Sequence, residues 1–243
     1  MSSQANSPDR QFPRSGNCCG IFPGISLRFV IFALDDNRLK VLCEAKDVSG
    51  ICAGWALPSG KIFTDEGVHQ SAIRALKEFV TSEQIFCEQL HVFGGAGAAP
   101  LTVAYYVLLP EKSLLNVAHE ATSLHWWDTR DLPNLARDQA QLVEFAVREL
   151  RSRTLFGATV FHLLPAKFTL LQLQQAYETV LNFHISKSNF RRKVAKMRFL
   201  VPSQEWQQGV AHRAARLYQF DEELYLAVSN QECLSAFGEQ AIP

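Results

Sequence analysis

The chain has 243 residues, 47% of them hydrophobic and 20% charged, with 24 Lys and Arg balanced by 24 Asp and Glu. That length suits one large domain or two smaller ones, and the apolar content excludes wholesale disorder. No apolar run approaches the ~18 residues of a membrane span, and the polar N-terminus holds no apolar stretch of signal-peptide length before Gly24, so a cytoplasmic protein with no membrane partner is expected. Cys18, Cys19, Cys43, Cys52, Cys87 and Cys233 show no C-x-x-C spacing and read as reduced thiols.

Residues 1–24 are rich in Ser, Pro, Gly and Asn and lack periodicity, as expected of a flexible N-terminal arm. From Ile25 the pattern is strand-like: SLRFVIFAL, a turn at Asp35-Asp36-Asn37-Arg38, then LKVLCEA. WALPSGKIF follows, and then a helix over Val68–Val80 with Ala72, Ile73, Leu76 and Val80 at helical spacing. QLHVFG and LTVAYYVLL read as strands separated by GGAGAAP, and Leu135–Arg151 reads as a helix with Leu142, Phe145, Ala146 and Leu150 on one face. Trp55, Trp126-Trp127 and Tyr105-Tyr106 are read as packing residues. Strands wrapped with helices over residues 25–152 make an α/β or α+β domain.

The character changes after Arg153. Thr169 opens a helix, with Gln172 in capping-box spacing and Leu170, Leu173, Tyr177, Val180 and Leu181 forming a buried face. A break at 182–185 leads to a second helix, SKSNFRRKVAKM, capped by Ser186. FLVP, a polar turn SQEWQQG and ARLYQF complete a β-hairpin. Helix, tight break, basic helix and hairpin in that order make a winged helix-turn-helix over 153–228, followed by a tail at 229–243.

The zero net charge conceals a split. Residues 186–216 carry eight basic residues against the single acid Glu205, a net +7 that the rest of the chain cancels. A concentrated basic segment marks a reader of polyanions. Phe190, Val194 and Met197 recur at i, i+4 and i+7 and dock the second helix. Lys187, Ser188, Asn189, Arg191, Arg192, Lys193 and Lys196 occupy its remaining surface. Such a helix is what a DNA major groove accepts, with Asn and Arg suited to base edges and Lys and Ser to phosphates. His212, Arg213 and Arg216 on the wing are placed to meet the adjacent backbone.

GKIFTDEGVHQSAIRALKEFVTS, residues 60–82, resembles the Nudix box, G-x5-E-x7-R-E-U-x-E-E-x-G-U with U aliphatic. Gly60, Glu66, Arg74, Leu76 and Glu78 match it, while Ala75, Phe79, Thr81 and Ser82 do not. In that family three carboxylates of the R-E-U-x-E-E segment hold Mg²⁺; here those positions are Ala75, Glu78 and Phe79. One carboxylate cannot supply the oxygen ligands or the charge that a hard cation on a diphosphate requires. No catalytic residue, metal site or cofactor is therefore expected, and Glu66 and Arg74 are expected to brace the loop-helix corner.

Over residues 25–222 the chain resembles the Nudix-related transcriptional regulators of the NrtR type. N-F-R-R-K at 189–193 is a characteristic run of that family's winged helix, and HRAARLYQF resembles its closing wing strand, with Ala214 where proline is common. LPNLARDQAQLVEFAVREL resembles the helix before the DNA-binding domain, with Gln139 where His is usual. The resemblance implies an α+β protein: a Nudix-like α/β/α sandwich with a mixed sheet, then the winged helix-turn-helix. It implies a bacterial homodimer, nucleoid-associated when bound, that represses from a palindromic operator on double-stranded DNA and senses a small-molecule effector. ADP-ribose or a related nucleotide is the family's common effector and NAD metabolism a common target, though other members answer to sugars. The loop after Phe93-Gly94, here GAGAAP, lacks the family's Arg, Asp and Pro character. Arg28, Lys46, Lys61, Arg74 and Glu78 are the expected effector-binding residues, chosen by position around the box. Two alternatives remain open: a Nudix hydrolase of nucleoside diphosphate derivatives using Asp65, Glu66 and Glu78 around a metal, and an interaction module whose basic helix meets RNA or an acidic protein.

Overall fold

In the computed structural model, residues 20–48, 51–80, 85–94, 101–110, 123–209 and 213–229 are described. The elements run β1 (Ile21–Asp35), β2 (Arg38–Val48), β3 (Ile51–Ala56), β4 (Ser59–Phe63), α1 (Val68–Leu76), β5 (Phe86–Phe93), β6 (Leu101–Leu109), β7 (Leu124–Asp128) and α2 (Arg137–Phe156). After a 3-10 turn at Thr159–Leu163 come β8 (Phe168–Thr169), α3 (Leu170–Leu181), α4 (Lys187–Val194), β9 (Leu200–Trp206), β10 (Arg216–Phe220) and α5 (Glu222–Ser229).

β1 is the axis of the first domain. Its run SLRFVIFAL buries both faces, so alternate side chains enter two different layers. Leu27, Phe29, Ile31 and Ala33 pack with Ile62 of β4 and with Ala72, Ala75 and Leu76 of α1. Val30 and Phe32 pack instead with Leu142, Val143, Ala146 and Leu150 of α2. A helix therefore covers each face of a mixed seven-stranded sheet with main path β3-β2-β1-β6-β5, in which β1 and β6 are parallel and β4 and β7 pair with β1 and β2. That is the expected α/β/α sandwich. The hairpin turn is as expected too, with Asp36 and Asn37 both at positive φ, the backbone that short Asp and Asn side chains tolerate.

The second domain is a three-stranded sheet, β8-β10-β9, behind α3 and α4. The Thr169 capping box forms: its hydroxyl accepts from the Gln172 amide at 3.2 Å, and Gln172 Oε1 accepts from the Thr169 amide at 2.9 Å. α3 ends on Asn182 in the left-handed region, φ 58°. The turn that follows is held from inside. Buried Gln174 donates from Nε2 to the Ile185 carbonyl at 2.8 Å, and Glu178 Oε1 accepts from the Ile185 amide at 2.8 Å.

The two domains share one apolar core. It runs from Val30, Phe32 and Tyr106 through α2 and through Val160 and Phe161 of the 3-10 turn to Leu173, Tyr177 and Phe190. Phe161 stacks on Phe220 of β10 at 4.6 Å and meets Phe168 at 5.8 Å. A seam nevertheless remains: a cavity of about 710 Å³ lies between Phe86 and Pro110 of the sheet domain and Phe220 of the wing. Burial holds the imidazole of His162, stacked 4.2 Å from Phe86, below its ordinary pKa against the charges of Glu222 and Glu88.

Several expected bounds shift, each for a local reason. β1 opens at Ile21 rather than Ile25, because Ile21 pairs with Phe63 across a register shift at Gly24, φ 79°. α1 ends at Leu76 rather than Val80; the next amides tighten into i to i−3 bonds, Glu78 to Ala75 and Phe79 to Leu76. α2 continues to Phe156, so the boundary expected at 152/153 falls inside a helix whose Thr154 is buried and whose Arg153 pairs with Glu88 and Glu149. β7 was read as packing residues, and it forms the pairing partner of β2. α4 stops at Val194 rather than Met197. β9 continues through Trp206, where a polar turn was expected. Of the cysteines, Cys43 and Cys87 are free, and burial pushes their thiols up to about 12 and about 11, which keeps them protonated and inert. Cys18, Cys19 and Cys233 lie outside the described residues, as do most of the arm and the tail.

Gln174→Leu removes the bond to the Ile185 carbonyl, leaves the bond from the Ile185 amide to Glu178, and keeps the side-chain volume. It should lower stability by about 1–3 kcal/mol, as expected when the buried Ile185 carbonyl loses its partner, measured by chemical denaturation.

Candidate nucleic-acid interface and effector cleft

α4 docks by the residues its spacing indicates: Phe190, Val194 and Met197 are buried, with Tyr177 meeting the Phe190 ring at 6.3 Å. Lys187, Ser188, Arg191 and Arg192 are exposed on the same helix, and Asn189 and Lys193 are half-buried. Arg192 Nη2 donates to Asn189 Oδ1 at 2.8 Å, which orders the pair one helical turn apart. Lys196 is exposed in the turn beyond the helix. Ser186 takes the N-cap position, but its hydroxyl makes no cap bond, so the expected cap exists in backbone geometry alone.

On the wing, Arg213 is exposed. Arg216 is committed within the hairpin, its Nε donating to the Ser203 carbonyl at 2.9 Å. Trp206 lies opposite it, 55% exposed at the end of β9. Sequence reading took Trp206 for turn, because polar SQE conceals the strand. His212 lies outside the described residues. Glu205, the one acid of residues 186–216, pairs with Lys167 and so does little to offset the field of α4.

Only two of the expected effector residues meet in one cleft. Arg28 and Lys46 line an open cleft of about 620 Å³ together with Trp55, Ser59, Asn134 and Gln139. That volume suits a small organic ligand. Burial pulls the Arg28 guanidinium below its usual pKa, against the charges of Asp138 and Glu44, and it donates to the Leu57 carbonyl at 3.4 Å; it stays a cation at any physiological pH. Trp55, read from the sequence as core, is half-buried and forms part of the cleft wall, edge-on to Trp127 and to His125, each at 5.1 Å. Asn134 and Gln139 are not legible as site residues because neither carries charge, Asn134 lying in the segment before α2 and Gln139 in its first turn, where helical spacing reports only the buried face. Two cations beside an indole suit an anion joined to a flat ring.

Lys61, Arg74 and Glu78 lie elsewhere, at the box. There Glu66 Oε1 accepts from Arg74 Nε at 2.9 Å and from the Ser71 hydroxyl at 2.7 Å. Arg74 Nη2 donates to the Lys61 carbonyl at 2.9 Å, and its guanidinium lies 4.2 Å from the Phe63 ring centroid. This is the bracing corner expected for Glu66 and Arg74. Lys61 is exposed and Glu78 is 67% exposed, 3.9 Å from Arg74. The family's other two carboxylate positions belong to the core. Ala75 is 1% exposed and lies so close to Gly60 that a Cβ there would sit 2.5 Å from its own; Phe79 packs at 6.3 Å from Phe29. These residues do not fit a Mg²⁺ ion. Among the described residues no three His, Cys, Asp or Glu side chains form a group that could hold a metal, so Asp65, Glu66 and Glu78 do not make the alternative site.

A Nudix-like sheet domain joined through a long helix to a winged helix defines a class of regulator, and the comparisons agree. Residues 160–220 match the NrtR DNA-binding winged helix domain. Along most of its length the chain is similar to regulators of the NrtR type. It is 27% identical over 206 residues, 82% of each chain, to the ADPR responsive transcriptional repressor NtrR of Acinetobacter baylyi. It is similar to Shewanella oneidensis NrtR complexed with a 27mer DNA, at 27% identity and TM-score 0.71, over 84% of this chain and 96% of that one. A MutT/nudix family protein from Enterococcus faecalis shares the fold, at 21% identity and TM-score 0.62, over 82% and 88% of the two chains. Among the described residues no helix is long and apolar enough to cross a membrane.

Glu66 gives the corner a pH signature. Hydrogen bonds from Arg74 and Ser71 hold its carboxyl below the usual range, so the stability it contributes is present above the ordinary carboxylate pKa and lost as pH falls through the depressed one. Wild type should melt above Glu66→Gln at neutral pH, and the two melting temperatures should converge only as pH falls below the usual glutamate range.

Proposed function

We propose that this protein is a transcriptional repressor in which α4 reads DNA and the Arg28–Lys46–Trp55 cleft binds an effector that controls operator affinity. The observation that carries the reading is the division of α4: Phe190, Val194 and Met197 are buried while Lys187, Ser188, Arg191 and Arg192 stand free of the body. Among residues that are nearly all exposed or half-exposed, Asn189 and Arg192 are already ordered for base edges, and Lys187, Lys196 and Arg213 suit phosphates. The relatives support it, one being a repressor responsive to ADPR and the other having been crystallised on DNA. The protein acts as a homodimer on a palindromic operator, which places two α4 helices in major grooves about one helical turn apart.

ADP-ribose, or another nucleotide of the same build, is the proposed effector. Arg28 and Lys46 would meet the diphosphate and Trp55 a ring. The effector favours an arrangement in which the two α4 helices no longer match the half-sites. The box contributes structure and no hydrolysis, since Ala75 is a core residue and half-buried Phe79 packs against the core.

Fluorescence anisotropy with duplex DNA from upstream of the protein's own gene, over a salt series, tests the reading. Wild type should bind tightly and with steep salt dependence, and ADP-ribose should release it. Arg191→Ala and Arg192→Ala should lose sequence preference, about 1–3 kcal/mol per base contact. Lys187→Ala should weaken binding to all sequences alike and lower the salt slope by about 1. Normal operator binding by both arginine variants would show that α4 is not the reading helix.

A further inference from the structure

α2 touches both working ends of the molecule through hydrogen bonds that its apolar packing does not require. At its start, Gln139 lines the cleft, and its Oε1 accepts from the Leu57 amide at 2.7 Å. Beside it the Trp55 amide donates to the Asn134 carbonyl at 3.4 Å. The cleft wall and the beginning of α2 are thus one hydrogen-bonded unit. Near its other end, Arg151 Nε donates to the Val180 carbonyl at 3.0 Å. Val180 stands in the last turn of α3, where helix carbonyls have no partner within their own helix and a guanidinium also meets the negative end of the helix dipole. Two residues later Asn182 turns the chain towards α4.

We propose that α2 is the coupling rod of the regulator, with Gln139 sensing occupancy of the cleft and Arg151 setting the position of α3 and thereby of α4. This rests on the function proposed above. The two residues stand about 18 Å apart along a continuous helix, at ~1.5 Å per residue. A helix packed along its length against the sheet moves as a body, because close-packed interfaces adjust in discrete steps rather than by continuous deformation. A ligand that spreads Leu57 from Gln139 therefore shifts or rotates α2, and Arg151 carries the shift to the Val180 carbonyl. Arg151 touches neither the cleft nor the exposed face of α4, so its role is positioning. A second tie to α3, the Thr179 hydroxyl donating to the Asn37 carbonyl at 3.2 Å, comes from the β1–β2 turn, which does not line the cleft.

The test compares operator affinity with and without saturating ADP-ribose, and separately records hydrogen exchange in the protein free of DNA and nucleotide. Arg151→Ala should hold its ADP-ribose affinity and its nucleotide-free operator affinity within about threefold of wild type. The factor by which ADP-ribose weakens operator binding, commonly 5–150-fold for coupled sites, should fall below about threefold. Arg151→Lys, which can still donate to the carbonyl, should restore much of that factor, and Thr179→Ala should leave it intact. A full factor in Arg151→Ala, or an equal loss in Thr179→Ala, would overturn the proposal. In the exchange experiment, Gln139→Ala should change protection in residues 178–190 as well as at Leu57. A change confined to Leu57 would overturn it too. Should wild type bind DNA but ignore ADP-ribose, the effector reading fails, and the exchange result still decides whether α2 transmits.

Discussion

The structure depends on one helix packing against one sheet. Leu142, Val143, Ala146 and Leu150 of α2 cover the Val30–Phe32 face of β1, and the same helix runs on to meet α3. Because the apolar cluster continues from the sheet to Tyr177 and Phe190 without a break, the winged helix is held to the sheet domain by burial as well as by a linker. A substitution such as Phe161→Ala, at the point where sheet, 3-10 turn and wing meet, would open a cavity costing about 3–5 kcal/mol, which is a sizeable share of a domain's net stability. An arrangement this strongly packed can respond to a ligand by displacing whole elements, and it has little freedom to respond in any other way.

In α1 and the turn after it, the positions where the Nudix pattern has further carboxylates serve packing. Glu66 and Arg74 have a geometric task, tying β4 at Lys61 and the loop at Glu66 to the last turn of α1, and a corner of that kind needs one acid and one guanidinium. The metal-binding positions have passed to packing: Ala75 lies against Gly60, and Phe79 against Phe29. Restoring Glu at 75 or 79 would place a charge in the layer that now includes Phe29 and Tyr105, where an unpaired carboxylate is expensive. The apolar character of these two positions is thus coupled to the stability of the domain.

Much of this was legible in the sequence, and the illegible parts have identifiable causes. Leucines and aromatics at helical or alternating spacing report burial, so β1, α3 and the anchors of α4 are recoverable. The charge split located the basic surface, since Arg and Lys cluster where nothing inside can neutralise them. β7 escaped because LHWWD is short and its tryptophans look like isolated packing residues; its strand character comes from pairing with β2. The second half of β9 escaped because SQEW carries no apolar alternation and is extended by its partner in the hairpin. The effector cleft was half legible. Arg28 and Lys46 are legible because they are charged and near the box, while Lys61, Arg74 and Glu78 group with them only because nearness in sequence does not tell which residues line one cleft. Asn134 and Gln139 enter the cleft because α2 begins beside Trp55, a tertiary fact with no local signature.

That same placement sets what an effector must do. A ligand shifts an equilibrium between two arrangements by no more than its difference in affinity for them, so cleft residues that keep their positions in both arrangements contribute affinity and no control. Arg28 is rooted in β1, at the centre of the sheet, and is half-buried near Glu44 of β2 and Asp138 of α2; its own backbone keeps its place when the helix moves. Gln139 belongs to the first turn of α2 and Asn134 to the segment that leads into it, and their distance from β3 changes whenever that helix moves. Affinity and control therefore reside in different parts of one cleft. The charged wall holds the ligand, and the neutral wall, which is also the beginning of the rod that reaches α3, decides whether holding it changes how DNA is bound.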